Sequence, residues 1–342
     1  MSLPTVPDPG RDPLVPSAAP QETSPPVLAD LPPVEAPSAG FVVQLFVIPA
    51  LVVLVVIVVW LLFGKLAGGE RDAMEYVRQL RLPTANWRSA FELASLIQND
   101  PAIAGDPKLL GELTDLLSHE LDTNSDPDLT RYVALTLGAF RTLEGRTQSG
   151  QPVDPIVPLT RALEPRYDTP IRIAAAASLA KQAARLDGRL DDARAIQALG
   201  ETAANGEPQL RQMAVYALGF FSRSATERLR DRVRGDEDRF TRYNAAVALA
   251  RRGDPAAEAT LREMLSTADL DKVVEIKSAT EKQNKIESIQ LEALESLRTS
   301  LRNHSPQLAR SLRAEVEKLT KSGLVQVRSL ALEVLRGVAG GA

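Results

Sequence analysis

The chain has 342 residues, 40 Lys and Arg against 44 Asp and Glu, a formal net charge of −4, no Cys and two His. Disulfide frameworks, thiolate nucleophiles and Cys-based zinc sites are excluded, and a net acidic chain does not advertise nucleic acid as a partner. Aromatic residues make up only 4 %, thin for a β-sandwich core, while the good helix formers Ala, Leu, Arg and Glu are plentiful.

Residues 1–40 hold 11 of the 24 prolines and no aromatic residue. Proline removes a backbone donor and disfavours helix at the residue before it. With so little apolar bulk the segment does not offset its ordering entropy. The composition predicts a disordered, partly polyproline II tail that acts as a spacer. Spacings such as Pro4-Thr5-Val6-Pro7 and Pro13-Leu14-Val15-Pro16 also suit an aromatic groove.

Residues 41–64 differ in kind. From Phe41 through Pro49 and Trp60 to Phe63 the run is almost wholly apolar, and no charge occurs between Glu35 and Lys65. As a helix, residues 41–63 span ~34 Å, against a hydrocarbon core of roughly 30 Å. The segment predicts one transmembrane helix in contact with the lipid bilayer, with Pro49 in its first third and the Trp60 ring at an interface. A cleaved signal peptide fits less well, because 40 residues precede the run and it exceeds the usual length of about 7–15. Lys65, Arg71, Arg78 and Arg81 flank only its C-terminal side. The positive-inside rule then puts the tail outside the cell (inner) membrane and the C-terminal part in the cytoplasm. Residues 65–85 read as a juxtamembrane helix or linker.

Residues 86–342 are expected to carry the fold. Of the 40 bases only Arg11 and Lys65 lie before residue 70, and of the 44 acids only Asp8, Asp12, Glu22, Asp30 and Glu35, leaving 38 against 39. One pattern recurs: Arg, Ala three residues on, and usually an apolar residue at plus four and plus seven. It begins at Arg131, Arg172, Arg211, Arg242 and Arg328, with weaker copies lacking the Arg at Trp87 and Gln290. The intervals are 44, 41, 39, 31, 48 and 38 residues. Repeats of about 40–47 residues with one apolar helix face signal helix pairs stacked in an α-solenoid. Second helices are expected after Asp106-Pro107, Asp154-Pro155, Asp191-Asp192, Asp254-Pro255 and Ser305-Pro306, where an N-cap oxygen precedes, in most cases, a proline.

The stretches DPDLTRYVALTLGAF, TPIRIAAAASLA, EPQLRQMAVYALGFF and FTRYNAAVALARRGDPAAEATLREML resemble the HEAT-like repeat family, of the short bacterial kind also seen in phycobilin-lyase HEAT-like repeats. The resemblance covers about residues 86–340. It implies an all-α, armadillo-type fold: a right-handed α-solenoid of about six to seven helix pairs, preceded by the transmembrane helix and the Pro-rich tail. The sequence departs from the pattern at 268–285, where one repeat is lengthened.

The recurrent arginines suit either a ladder for an acidic partner or structural pairing with Asp128, Asp168, Glu207 and Asp238, which stand three or four residues earlier. Arg223, Arg228, Arg230, Arg232 and Arg234 interleave with Glu227 and Asp231 as on a solvated helix face. His119, placed at a helix end, and His304, in a loop, lack a companion at metal-ligand spacing. No phosphate loop, HExxH or nucleophile elbow occurs, so no catalytic, cofactor or metal residue is expected. The resemblance implies a scaffold or adaptor that binds a protein partner through the solenoid surface; the 268–285 insertion is a candidate part of that contact surface. The alternatives are a lyase-type or enzyme-accessory subunit, and an accessory component of a membrane transport complex.

Overall fold

Short polar side chains set most of the helix starts. Asp100, Asp126, Asp192, Asp238 and Ser278 each accept a backbone N–H of the first turn that follows, satisfying donors that no intrahelical carbonyl reaches. In the computed structural model, residues 50–51, 53–59, 73–82, 86–123 and 125–340 are described. The chain divides into two units, residues 1–69 and 70–342.

In the first unit, residues 50–51 and 53–59 are helical and apolar, and all of their side chains are exposed. The expected tail and Phe41, Pro49, Trp60 and Phe63 lie outside the described residues. Among the described residues no helix is long and apolar enough to cross a membrane.

The second unit is an all-α stack apart from one small hairpin. Its elements are α1 (Ala73–Leu80), α2 (Trp87–Asn99), α3 (Pro101–Ala104), α4 (Pro107–Thr123), α5 (Pro127–Leu137), β1 (Gly145–Arg146), β2 (Pro152–Val153), α6 (Ile156–Arg161), α7 (Thr169–Arg185), α8 (Ala193–Asn205) and α9 (Pro208–Leu218). They continue with α10 (Thr226–Gly235), α11 (Arg239–Arg251), α12 (Glu258–Leu265), α13 (Thr267–Val273), α14 (Ala279–Arg302), α15 (Gln307–Ser311), α16 (Arg313–Leu319) and α17 (Val325–Gly340).

The helices that carry the repeat pattern (α2, α5, α7, α9, α11, α14 and α17) lie side by side in one layer, the anchor layer. The second layer comprises α1, α4, α6, α8, α10, α12 and α16. Anchor helices pack along their neighbours, whereas second-layer helices touch theirs at few points. The cause is side-chain size. Buried Ala174, Ala175, Ala214, Ala217, Ala245 and Ala248 let anchor helices approach closely, and Leu113, Leu117, Leu159, Leu199, Leu229 and Leu261 fill the space between the layers. A stack spaced more tightly in one layer bends toward that layer, so the solvent side of the anchor layer is the inner face.

Glycine permits two of the close approaches. A Cβ at Gly138, after α5, would lie 2.9 Å from the Ser178 Cα of α7. Within α4, a Cβ at Gly111 would lie 2.0 Å from the Arg146 carbonyl oxygen, because the hairpin lies directly on that helix. The two strands pair antiparallel, Gly145 with Val153 and Arg146 with Pro152.

Within the segment read as a juxtamembrane helix or linker lies α1, which packs on α2 and α4 and buries Val77 and Leu80. The 268–285 insertion forms most of α13 and the first two turns of α14.

Candidate functional site

The five anchor arginines do not form an open ladder. Arg172 Nε donates to the Leu163 carbonyl at 2.9 Å, Arg211 to Gly206 at 3.2 Å, Arg242 to Asp236 at 2.6 Å and Arg328 to Ser322 at 2.8 Å. Each of these four reaches back to the turn that leads into its own helix, where carbonyls of the preceding second-layer helix or turn lack intrahelical partners. Arg211 also pairs with the buried Asp236 at 3.3 Å, joining one repeat to the next. Arg131 is the exception and pairs with Asp128 at 3.5 Å. The structure shows no ion pair of Arg172 with Asp168, Arg211 with Glu207 or Arg242 with Asp238. The expected pairing with the preceding acid is therefore corrected in those three helices. The acid either caps the helix, as Asp238 does, or makes no side-chain cap, as at Asp168 and Glu207.

A second set of side chains spans neighbouring repeats. Arg185 of α7 donates to the carbonyls of Gly138 (2.9 Å), Ala139 (3.2 Å) and Phe140 at the end of α5. Arg252, just after α11, donates to Leu218 (3.0 Å) and Phe221 (3.0 Å) at the end of α9. Asn303 donates to Arg251 at the end of α11 at 3.1 Å. Burial pushes the Arg252 guanidinium down to about 10, and nearby Arg223 adds to the effect. These groups are occupied inside the stack and are not available to a partner.

The large apolar side chains that the stack leaves exposed include three aromatic ones. Trp87, Phe91 and Tyr216 are 38 %, 59 % and 47 % exposed on the inner face. Half-buried Tyr132, Phe220 and Phe240 accompany them. Trp87 stacks on Tyr132 with ring centroids 4.9 Å apart, and the Arg131 guanidinium lies 4.6 Å from the Tyr132 ring centroid. Tyr216 meets Phe220 edge to face at 4.9 Å. Arg251 stands over Phe220 at 5.7 Å and Lys285 over Phe240 at 4.9 Å. Between α5 and α7, Tyr132 and Arg131 border a groove of about 390 Å³ that is also lined by Leu135, Ile173, Ala177 and Gln209. Rings, cations and an apolar lining together can hold apolar and acidic side chains of another chain.

The sequence reading missed this row. Its signal was present in Trp87-Arg-Ser-Ala-Phe91 and Arg211-Gln-Met-Ala-Val-Tyr216, where large rings occupy the helix face opposite the buried Ala and Leu. The five arginines from Arg223 to Arg234 are partly absorbed by structure. Arg230 pairs with Asp254 at 2.6 Å and Arg232 with Asp236 at 3.4 Å, and the Arg228 stem lies over Gly200. His119 lies within α4, one turn before the helix end, and His304 adopts φ 56° in the turn after α14. Among the described residues no group of His, Cys, Asp and Glu is placed to hold a metal ion.

A model of the HEAT repeat family matches residues 196–280. Comparison with curated proteins finds no match. Among solved structures, an engineered protein is 18 % identical, with 79 % of this chain and 99 % of that chain covered and a TM-score of 0.37. A designed armadillo repeat protein is 14 % identical, with 78 % and 100 % covered and a TM-score of 0.34. Human deoxyhypusine hydroxylase in complex with glycerol is 15 % identical, with 69 % and 98 % covered and a TM-score of 0.28. The second unit is thus an all-α repeat solenoid, and residues 196–280 within it, from α8 into α14, match HEAT repeats.

Proposed function

We propose that the protein is a membrane-anchored helical-repeat scaffold that holds a protein partner on the inner face of its stack. The observation that carries this reading is the exposed aromatic side chains Trp87, Phe91 and Tyr216, with half-buried Tyr132, Phe220 and Phe240. Contiguous apolar surface on a soluble fold marks an interaction site, and aromatic residues with arginine dominate interface energetics. No enzymatic role is assigned.

The anchor is the apolar run 41–64. Its described residues form helix with Leu51, Val53, Leu54, Val55, Val56 and Ile57 all exposed, and a helix that is apolar all round needs an apolar surrounding. By the distribution of Lys and Arg, the repeat unit faces the cytoplasm and the Pro-rich tail the outside of the cell membrane. Tethering raises the effective concentration of any partner at the same membrane.

Proximity labelling from the C-terminus of the full chain in its host tests the reading. The double variant W87A/Y216A is expected to lose the membrane-proximal protein that the native chain labels, while R234A on the second layer retains it. Equal labelling by both variants overturns the assignment of the face. Recovery of the chain in the aqueous fraction without detergent overturns the anchor.

A further inference from the structure

We propose that Asp187 is a site of spontaneous covalent modification, where the Asp187-Gly188 peptide rearranges to an isoaspartyl linkage while Asn205-Gly206 stays intact. These are the two places in the sequence where a carboxyl or carboxamide side chain directly precedes glycine. Glycine has no side chain to shield its nitrogen, so both pairs are able to cyclise. In an unfolded peptide the asparagine reacts faster, because an ionised carboxylate resists attack by the next backbone nitrogen. The fold reverses that order.

Asp187 lies in the turn that leaves α7, at φ 48°, and Gly188 follows at φ 71°. Aspartate and glycine are the residues that tolerate this left-handed backbone. Asp187 is exposed. Among the described residues its carboxylate has no hydrogen bond or ion pair, and the Gly188 N–H donates to no protein group. The surroundings are open as well: a Cβ at Gly188 would meet nothing nearer than the Phe221 carbonyl oxygen at 4.0 Å. Neither reacting group is held elsewhere, and there is room for a ring to form. Asn205 is the opposite case. It is the last residue of α8, and the Gly206 N–H donates to the Thr202 carbonyl at 2.9 Å. The Asn205 Nδ2 donates back along the helix to the Glu201 carbonyl at 3.2 Å. A Cβ at Gly206 would lie 2.7 Å from the Thr202 carbonyl oxygen. The nitrogen that must attack is therefore tied into the helix end.

The reaction balances with water alone. The Gly188 nitrogen forms a bond to Asp187 Cγ, and its proton leaves with a carboxyl oxygen as water. A second water then opens the succinimide. Opening at Cγ restores aspartate. Opening at the main-chain carbonyl carbon breaks the original peptide bond and leaves the chain running through Cγ. The product keeps the original mass but has one more methylene in its backbone. That methylene enters three residues before Leu190, whose carbonyl accepts the Ser222 N–H of the next repeat at 3.0 Å. The change thus falls at a junction between repeats.

Incubation of the full chain in detergent at neutral pH, folded and in urea, tests the order. Trypsin cuts after Arg185, Arg189, Arg194 and Arg211, so Asp187 is released in residues 186–189 and Asn205 in residues 195–211. Chromatography and labelling by protein isoaspartyl methyltransferase read isoaspartate in the first peptide, and a mass increase reads deamidation in the second. In the folded chain, conversion at Asp187 is expected to exceed conversion at Asn205 by about tenfold or more, because the helix end must open before Asn205 reacts. In urea the order is expected to invert. Conversion of Asn205 ahead of Asp187 in the folded chain overturns the proposal. So does an unmodified Asp187 after an incubation in which the urea-treated chain reacts.

Discussion

Arg252 shows how a single side chain joins repeats. Its guanidinium satisfies helix-terminal carbonyls of the preceding repeat that water reaches poorly. Burial, with Arg223 nearby, disfavours its charged form and places its pKa near 10, below the usual value for arginine. The sign follows from that shift: near neutral pH the folded state bears a desolvation cost for this cation, relieved only as pH rises through about 10, and the carbonyl hydrogen bonds offset it. Replacing Arg252 with Ala removes the cation but strands the Leu218 and Phe221 carbonyls. The expected loss is about 2–3 kcal/mol, read as a lower midpoint in urea unfolding. R234A, which removes an exposed arginine, should stay within about 0.5 kcal/mol of the native protein. R242A is expected to fall between them, at about 1–2 kcal/mol, since it frees the Asp236 carbonyl at a half-buried turn. The repeat spacing made the anchor arginines visible in sequence, but not their acceptors. A backbone carbonyl leaves no residue-type signal, whereas an acid three positions earlier does, and so the acid attracted the assignment.

At the scale of elements, the helices were legible and the hairpin was not. Asp-Pro starts at α4 and α5, the Asp191-Asp192 pair before α8 and the apolar spacing in α9 are local signals, and they placed these helices where the structure has them. Two strands of two residues each produce no periodicity. What holds them is tertiary: β1 lies on α4 at Gly111, an interior helix glycine whose reason is the neighbouring backbone and not a turn. The same limit applies to the aromatic row, since a ring on an amphipathic helix reads as core until the packing partner is known. The contact at Gly111 makes a sharp prediction. Gly111→Ala puts a methyl group into the Arg146 carbonyl, and neither backbone yields cheaply. The variant is expected to lose about 2–3 kcal/mol and to expose residues 143–153 to hydrogen exchange, with α9 to α17 unaffected. Protection of that segment at the native level would mean that the hairpin is not packed on α4 as described.

Over the whole second unit, each helix pair touches only its neighbours, so stability is expected to be a sum of local and nearest-neighbour contributions and not one cooperative quantity. The recurrence of the anchors at 31 to 48 residues already pointed to such a stack in sequence. What the spacing did not reveal is where coupling is strongest, because that depends on the close Ala and Gly contacts between anchor helices and on side chains such as Arg185 and Arg252 that reach across them. Helix α14 offers a test. Leu297 is fully buried on it, between neighbours α11, α12 and α17. Leu297→Ala should cost about 2–4 kcal/mol through lost burial and the cavity left behind. In a stack, that loss is spent locally: amide exchange should rise in α11 to α17 and stay native in α2 to α5, and a broadened or two-step unfolding transition should accompany it. A single core would raise exchange everywhere by the same factor and keep one sharp transition. That outcome would contradict nearest-neighbour stacking.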